Sequence, residues 1–209
     1  LDNVKELKAN YKGNLESNSN NGAAFDGNNS YIEFDPALKT IGVDGFSIEF
    51  YAYFFQSDNN SSIWWLSRES KWSNGREIGM GLIKENDSTY FILRNEGKDL
   101  KIKHEKFYEF SHYIITISSS GNLKFYINGN LTEVEGNSSS LGEVINRTRE
   151  NSFIGAYHPN SEDKNLGFSK MLLRYFRIWN NVELSSDQIS ILHKFKDTKD
   201  IYLNLTEEM

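Results

Sequence analysis

Short stretches of alternating apolar and polar residues, separated by Gly, Asn, Asp and Ser, recur along most of the chain. A period of two places successive side chains on opposite faces of a β-strand. The clearest example runs from Phe46 to Phe55, with Ile48 and Phe50 on one face and Tyr51 and Tyr53 on the other. Because both faces are apolar, we expect this strand to lie inside a layered sandwich, with one side on the core and the other against more protein or a ligand.

Nine further stretches read as strands: 62–67, 77–83, 89–94, 100–103, 113–118, 123–127, 131–134, 152–157 and 170–179. Glycines within 77–83 indicate a bulge or a close approach of another group to the backbone. Asn128-Gly129 is the favoured pair for a tight hairpin turn, since both positions need φ > 0. One helix is predicted near the end, where Ser185 and Gln188 form a capping box. The pattern indicates an all-β, two-sheet antiparallel sandwich with one short C-terminal helix.

Composition excludes several classes of protein. The 209 residues are 38% hydrophobic and 14% aromatic, enough to build a sizeable core in one domain. A net charge of −6 without a Lys/Arg cluster argues against a nucleic-acid partner. Cysteine is absent, which excludes disulfides, thiolate metal sites and cysteine nucleophiles and favours a bacterial source. No apolar run approaches the 18 residues of a membrane span.

Four segments, in order, carry a resemblance to a known family. They are 24–34 (Phe-Asp-Gly, then Tyr-Ile-Glu-Phe), 46–51 (Phe-Ser-Ile-Glu-Phe-Tyr), 123–129 (ending Ile-Asn-Gly) and the closing block 153–186. The chain resembles the laminin G-like, concanavalin A-like lectin superfamily, although residues 169–172 depart from the usual Gly-x-Ile-Asp. The resemblance implies a jelly roll over 1–209 with its core at about 23–195. We expect a fragment of a larger protein that is secreted or displayed on a cell surface.

A second resemblance concerns the closing half of the chain. Residues 115–117, 127–129, 141–142 and 177–180, followed by the short helix, are similar to the lectin-like half of clostridial neurotoxin receptor-binding regions. The abundance of Asn fits that neighbourhood. This resemblance implies a receptor-binding subdomain as an alternative function.

Catalysis is not expected. Glucanases of this fold carry a Glu-x-Asp-x-Glu triplet that aligns carboxylates on one strand face, and the chain has none. Glu33, Asp35 and Glu49 are scattered, so a catalytic pair would have to assemble from distant strands, which the sequence leaves open. The four histidines lack metal-site spacing.

One structural Ca²⁺ is implied by the resemblance, because members of the superfamily often hold one at the rim of the sandwich. Asp26, Asp163 and Asn165 match the regions where its oxygen ligands lie. The alternative is that Asp26 shapes a turn and Asp163 is solvated.

Sugar binding requires aromatic faces that stack on sugar rings, with polar groups beside them. Trp72 is the leading candidate because it lies in a polar segment, and Arg68, Asn74 and Arg76 flank it. Tyr157 and His158 are a second candidate set, and we predict that all six residues bind the ligand. The alternative for Trp72 is a surface aromatic that only covers a loop.

For four other aromatic residues, the sequence does not decide between a place in the core and a place in a binding face. Trp64 and Trp65 are adjacent and face opposite ways, so at least one belongs to the core. Tyr51 and Tyr53 either line a binding face or pack between sheets.

We therefore predict a non-catalytic, lectin-like module that binds a glycan or glycoprotein, with no nucleic-acid partner and no membrane insertion. The alternative is a protein-interaction or structural spacer domain, including a receptor-binding subdomain of a bacterial toxin.

Overall fold

A computed structural model describes residues 9–18, 22–34, 44–56, 60–67, 77–95, 97–105, 107–134, 140–144, 151–157 and 167–197. Fifteen strands and one helix lie within these ranges. They are β1 (Ala9–Lys12), β2 (Glu16–Asn18), β3 (Gly22–Asp26), β4 (Tyr31–Phe34), β5 (Phe46–Phe54), β6 (Ser61–Ser67), β7 (Glu77–Glu85), β8 (Ser88–Asn95), β9 (Lys98–His104), β10 (Phe110–Ile117), β11 (Leu123–Ile127), β12 (Asn130–Thr132), β13 (Asn151–Ile154), β14 (Gly167–Phe168), β15 (Lys170–Asn180) and α1 (Ser186–Lys194).

The strands form two sheets. The first, here called sheet A, has the order β1-β4-β13-β6-β7-β8-β9, and β14 adds to β6 as a short parallel strand. The second, sheet B, has the order β12-β11-β10-β5-β15-β3-β2 and is antiparallel throughout its described pairs. The predicted two-sheet antiparallel sandwich is confirmed, with one parallel pair added at β14.

Strand β5 lies at the middle of sheet B, between β10 and β15. Its inward face carries Phe46, Ile48 and Phe50, each fully buried. These side chains join one core cluster with sheet A residues such as Trp64 and Phe91. Burial of each large apolar side chain contributes about 1.5–3 kcal/mol, so this shared cluster is what holds the two sheets together.

The predicted turn and helix signals are both confirmed. Asn128 and Gly129 have φ values of 52° and 79° and join β11 to β12. The Ser185 hydroxyl accepts a hydrogen bond from the backbone N–H of Gln188, whose side chain accepts one from the Ser185 N–H. The capping box thus satisfies two amide donors at the start of α1.

Helix α1 packs on the face of sheet B that points away from sheet A, here called the outer face. Ile189 and Leu192 of the helix, with Leu184 before it, contact Ile114 and Tyr126 of the sheet. Trp179 of β15 packs against the same cluster. No helix in the described part of the chain has the length and apolar character needed to cross a membrane.

Trp64 and Trp65 point to opposite faces of sheet A, as the alternation predicts, yet both are buried. Trp64 belongs to the core between the sheets, whereas Trp65 lies on the other side of the sheet. The six-membered ring of Trp65 lies over Gly79 of β7, where a Cβ atom would come within 2.2 Å of a ring carbon. This confirms the close approach that the glycines of β7 predicted.

Replacing Gly79 with alanine is expected to destabilise the sandwich by about 1–3 kcal/mol, because the added methyl group must displace the Trp65 ring. Denaturant unfolding monitored by circular dichroism measures the loss. Gly167→Ala is the matched control, since the nearest atom to its added Cβ is at 3.4 Å. Equal unfolding midpoints for both variants would contradict the packing described for Trp65.

Candidate functional site

Most of the predicted sugar-binding residues lie outside the described part of the chain. Arg68, Trp72, Asn74 and Arg76 belong to segment 68–76, between the paired strands β6 and β7, and His158 follows β13. The ends of those strands, Ser67 and Glu77, are paired across the sheet. The segment therefore connects two neighbouring antiparallel strands of sheet A, and the binding roles of its residues stay predictions.

Tyr157 is the one predicted sugar-binding residue that the structure describes. It is 4% exposed, and its ring meets Trp65 edge to face with centroids 4.6 Å apart. This contact covers the outer side of sheet A at Trp65 and leaves little of the Tyr157 ring open to solvent. The structure therefore gives Tyr157 a packing contact, and its sugar contact stays a prediction.

Asp26, a predicted calcium ligand, shapes the turn between β3 and β4. Its Oδ1 atom accepts hydrogen bonds from the backbone N–H groups of Asn28, Asn29 and Ser30 and from the Ser30 hydroxyl, at 2.7–3.1 Å. Slight burial alone would raise the pKa of Asp26, but these donors outweigh it and lower the pKa to about 2. The carboxylate is thus ionised and already serves the turn.

Calcium needs six to eight oxygen ligands, and the residues described around Asp26 do not fit that need. Oδ1 is taken by four donors, and within the described ranges no group of three or more His, Cys, Asp or Glu side chains is placed to hold a metal ion. Asp163 and Asn165 lie outside those ranges. The calcium prediction therefore now depends on that segment.

A buried ionic cluster occupies the centre of the outer face of sheet B. The Glu49 side chain is fully buried and accepts a hydrogen bond from Nε2 of His112 at 3.0 Å. Arg177 donates to both carboxylate oxygens at 3.3 Å, and the indole N–H of Trp179 donates to one of them at 3.3 Å. His193 of α1 contacts the other side of the His112 ring, with the two Nδ1 atoms 3.3 Å apart.

This cluster keeps Glu49 ionised. Burial by itself would raise the pKa of Glu49, but the hydrogen bond from His112, the charge of Arg177 and the Trp179 N–H together lower it below its ordinary value. A buried, ionised and fully engaged carboxylate cannot reach a substrate or lend a proton. Glu49 therefore joins sheet to helix rather than acting as a glycosidase carboxylate.

Beyond the end of α1 the outer face of sheet B continues as an aromatic surface formed by Tyr53, Phe55, Tyr108 and Phe110. Tyr53 is central, with ring centroids 5.0 Å from Phe55, 5.5 Å from Phe110 and 6.4 Å from Tyr108. Three of the rings are half-buried, and Tyr108 is 58% exposed. We call these four residues the outer aromatic surface.

Two cations lie on this surface. The guanidinium of Arg174 lies 4.3 Å from the Phe110 centroid and 5.1 Å from that of Tyr51, and it pairs with Asp197 at 3.2 Å. The ammonium of Lys170 lies 5.5 Å from the Phe55 centroid. Both long side chains are exposed on β15. The surface thus combines flat apolar rings with hydrogen-bond donors at its edge.

Tyr108 is held in an unusual backbone conformation. Its φ is 60°, in the left-handed region that non-glycine residues seldom occupy. Its N–H donates to the carbonyl of Phe54 at 3.0 Å, which fixes the residue beside the end of β5. A strained backbone that projects an aromatic ring into solvent is a feature common at binding sites.

Neither the ionic cluster around Glu49 nor the outer aromatic surface was predicted from the sequence. Alternation did place Tyr51 and Tyr53 on one face with Glu49, and the structure shows that this face points away from sheet A. Tyr51 is 7% exposed beneath Arg174, whereas Tyr53 is partly open. Sheet-on-sheet packing, one of the two alternatives for these tyrosines, is therefore wrong.

A family comparison agrees with the fold. The sequence profile of a laminin G family, described as concanavalin A-like lectin/glucanases superfamily, matches residues 26–190. No curated protein is significantly similar in sequence.

Solved structures of botulinum neurotoxins share the fold. The receptor binding domain of botulinum neurotoxin D has a TM-score of 0.65 at 18% identity, with 91% of this chain and 48% of that chain covered. The serotype D ligand binding domain in complex with N-acetylneuraminic acid gives 0.64 at 18%, covering 90% and 46%. The serotype G binding domain gives 0.64 at 16%, covering 92% and 47%. The chain thus spans about half the length of these structures, and the predicted resemblance to this group is confirmed.

Glu49→Gln is expected to lower the free energy of unfolding at pH 7 by about 3 kcal/mol, because the amide turns an NH₂ group towards the Arg177 and Trp179 donors. Since the pKa of Glu49 is lowered by folding, its contribution is present above the ordinary value of 4.5 and is lost as pH falls through the folded value. The gap between wild type and variant should therefore narrow in urea melts below pH 4.5.

Glu33→Gln provides the control, since Glu33 pairs with Lys12 at 3.4 Å in solvent and contributes about 0–1 kcal/mol. A Glu49→Gln loss no larger than the Glu33→Gln loss would contradict the ionic cluster as described.

Proposed function

The chain belongs to the concanavalin A-like lectin/glucanases superfamily, and from that premise we propose that it is a non-catalytic glycan-binding module of an exported or cell-surface protein. The observation that carries the proposal is the outer aromatic surface. Its exposed Tyr108 and half-buried Tyr53 offer ring faces and hydroxyl groups of the kind that sugar rings stack on and bond to.

The geometry of the surface supports sugar recognition in particular. The four rings meet one another at interplanar angles between 58° and 83°, so their faces point in different directions and do not form one flat surface. Arg174 and Lys170 supply donors at the edge of that surface. Hydroxyl groups of a sugar need such donors once its apolar face has stacked on a ring.

Segment 68–76 is the second part of the proposal. In the sequence, Trp72 is flanked by Arg68, Asn74 and Arg76, which combines an aromatic ring with polar groups between β6 and β7. Tyr157 and His158 complete the set of predicted ligand contacts. Variants of Trp72 and Tyr108 distinguish segment 68–76 from the outer aromatic surface as the binding site.

We propose that the module binds glycans and does not hydrolyse them. The sequence lacks the glucanase carboxylate triplet, and Glu49, the acidic residue at the centre of sheet B, is buried among its three donor residues, His112, Arg177 and Trp179. The similar solved structures are binding or receptor-binding domains of neurotoxins, one in complex with N-acetylneuraminic acid.

Those structures favour a second candidate function, a receptor-binding subdomain of a larger toxin-like protein. The chain aligns with about half of each of them, so a neighbouring domain would complete such a receptor-binding region. In that case the outer aromatic surface would contact protein instead of sugar.

A glycan array with the purified chain tests the proposal, run once with Ca²⁺ and once with EDTA. Wild type is expected to bind a defined group of glycans. If the outer aromatic surface is the site, Tyr108→Ala should weaken binding about tenfold, which corresponds to losing one stacking contact of about 1.4 kcal/mol. If segment 68–76 is the site, Trp72→Ala should have that effect instead.

Tyr11→Ala is the matched control, because Tyr11 is a 62% exposed tyrosine on β1, in the other sheet. It should bind as wild type does. An empty array in both buffers would overturn the glycan proposal in favour of the protein-binding alternative. Binding that is lost in EDTA would support the calcium prediction, and equal binding would remove its role in the site.

A further inference from the structure

The contact between His112 and His193 joins helix α1 to the sheet through two ring nitrogens. The rings are nearly parallel, with an interplanar angle of 15° and centroids 5.5 Å apart, and their Nδ1 atoms are 3.3 Å apart. His112 is buried in β10, whereas His193 is half-buried at the end of the helix. This is the polar link between the helix and the cluster around Glu49.

The protons of the pair follow from its partners. Glu49 is an ionised acceptor, so Nε2 of His112 carries a proton and donates it. Nδ1 of His112 then has two options. It accepts from a protonated Nδ1 of His193, or it donates to an unprotonated one. In both arrangements one proton lies between the two Nδ1 atoms.

The contact cannot accommodate a second proton between the two Nδ1 atoms. With both rings fully protonated, two N–H donors and two positive charges would face each other across 3.3 Å. With the helix undocked, the His193 ring faces water and binds a proton freely below its ordinary pKa of 6.5. Undocking of α1 therefore takes up one proton in mildly acidic solution.

We propose that helix α1 is an acid-sensitive cover of sheet B, released in mildly acidic solution when His193 takes up a proton that its contact with His112 cannot accommodate. Release would expose the apolar side chains of Ile114 and Tyr126, together with one face of Trp179, which α1 now covers. The short helix is suited to this role because only Leu184, Ile189 and Leu192 hold it by burial.

The charges around the two histidines also favour an uncharged His193 when α1 is docked. The groups that face it come from every packed element: Glu49 and Tyr51 of β5, Tyr175 and Arg177 of β15, and Lys196 and Asp197 after α1. Loss of hydration on burial lowers the pKa of His193, as do the charges of Lys196 and His112, and Asp197 opposes them without reversing the result. Docking thus favours the uncharged ring of His193.

The docked position of α1 is therefore less stable in acid. A histidine whose pKa is lowered by docking gives full stability above its ordinary value of 6.5. That stability is lost as the pH falls below 6.5. The contribution of Glu49 to stability is lost only below pH 4.5, so the effects of Glu49 and His193 occur in different pH ranges.

Amide hydrogen exchange of the whole chain between pH 7.5 and 5.5, with EDTA present and rates corrected for intrinsic exchange, tests the proposal. Uptake of one proton on opening predicts that protection of the α1 amides falls about tenfold over this interval. Protection of β5, at the middle of sheet B, should stay unchanged, which separates helix release from global unfolding.

His193→Gln carries the decisive comparison, because an amide can donate or accept at His112 without titrating. Its helix protection should change less than twofold between the two pH values, while Lys194→Gln, which removes a neighbouring exposed charge on α1, should keep the tenfold fall. A wild-type fall below twofold, or an equal fall in His193→Gln, would overturn the proposal. Retained protection of β5 in each variant shows that it is folded.

Discussion

Strand β5 is covered on both faces, and the arrangement of the molecule follows from how each face is covered. Its inward side chains Phe46, Ile48 and Phe50 meet sheet A in an apolar core. Its outward side chains Ser47, Glu49 and Tyr51 are also buried, by the chain just before α1, by Arg177 and by Arg174. A buried carboxylate at this position obliges the surrounding elements to supply donors, because an unpaired buried charge costs several kcal/mol.

The helix is placed by the same requirement. The Ser47 hydroxyl donates to the carbonyl of Val182 and accepts from the N–H of Leu184, which fixes the chain just before the capping box. His193 at the far end of α1 then reaches His112. Apolar packing and polar contacts thus agree on one position for α1, and they leave the rest of the outer face open at Tyr53 and Tyr108.

Much of the fold could be predicted from the sequence because its signals are local. The period of two in 46–55, the Asn128-Gly129 pair and the Ser185 capping box each depend on a few adjacent residues, and each is confirmed. Strand β13 is shorter than predicted: it ends at Ile154, because Gly155 turns to φ 82° and donates its N–H to Ile63 of β6.

The candidate site could be predicted less well, since it depends on pairings distant in sequence. Tyr53 lies opposite Phe110 only through the register of β5 with β10, and Arg174 meets Phe110 from β15, beside the bulge that shifts that strand between Leu173 and Tyr175. No local pattern marks such a bulge. Exposure of Tyr108 likewise depends on its left-handed backbone, which no turn motif in the sequence announces.

We propose that the outer face of sheet B, in preference to segment 68–76, is the binding face of this module. The most direct measurement is a crystal structure of the chain soaked with a glycan that binds it. We expect a sugar ring stacked on Tyr108 or Tyr53, with its hydroxyl groups within hydrogen-bond distance of Arg174 or Lys170. A sugar bound elsewhere, with the outer aromatic surface empty, would contradict it.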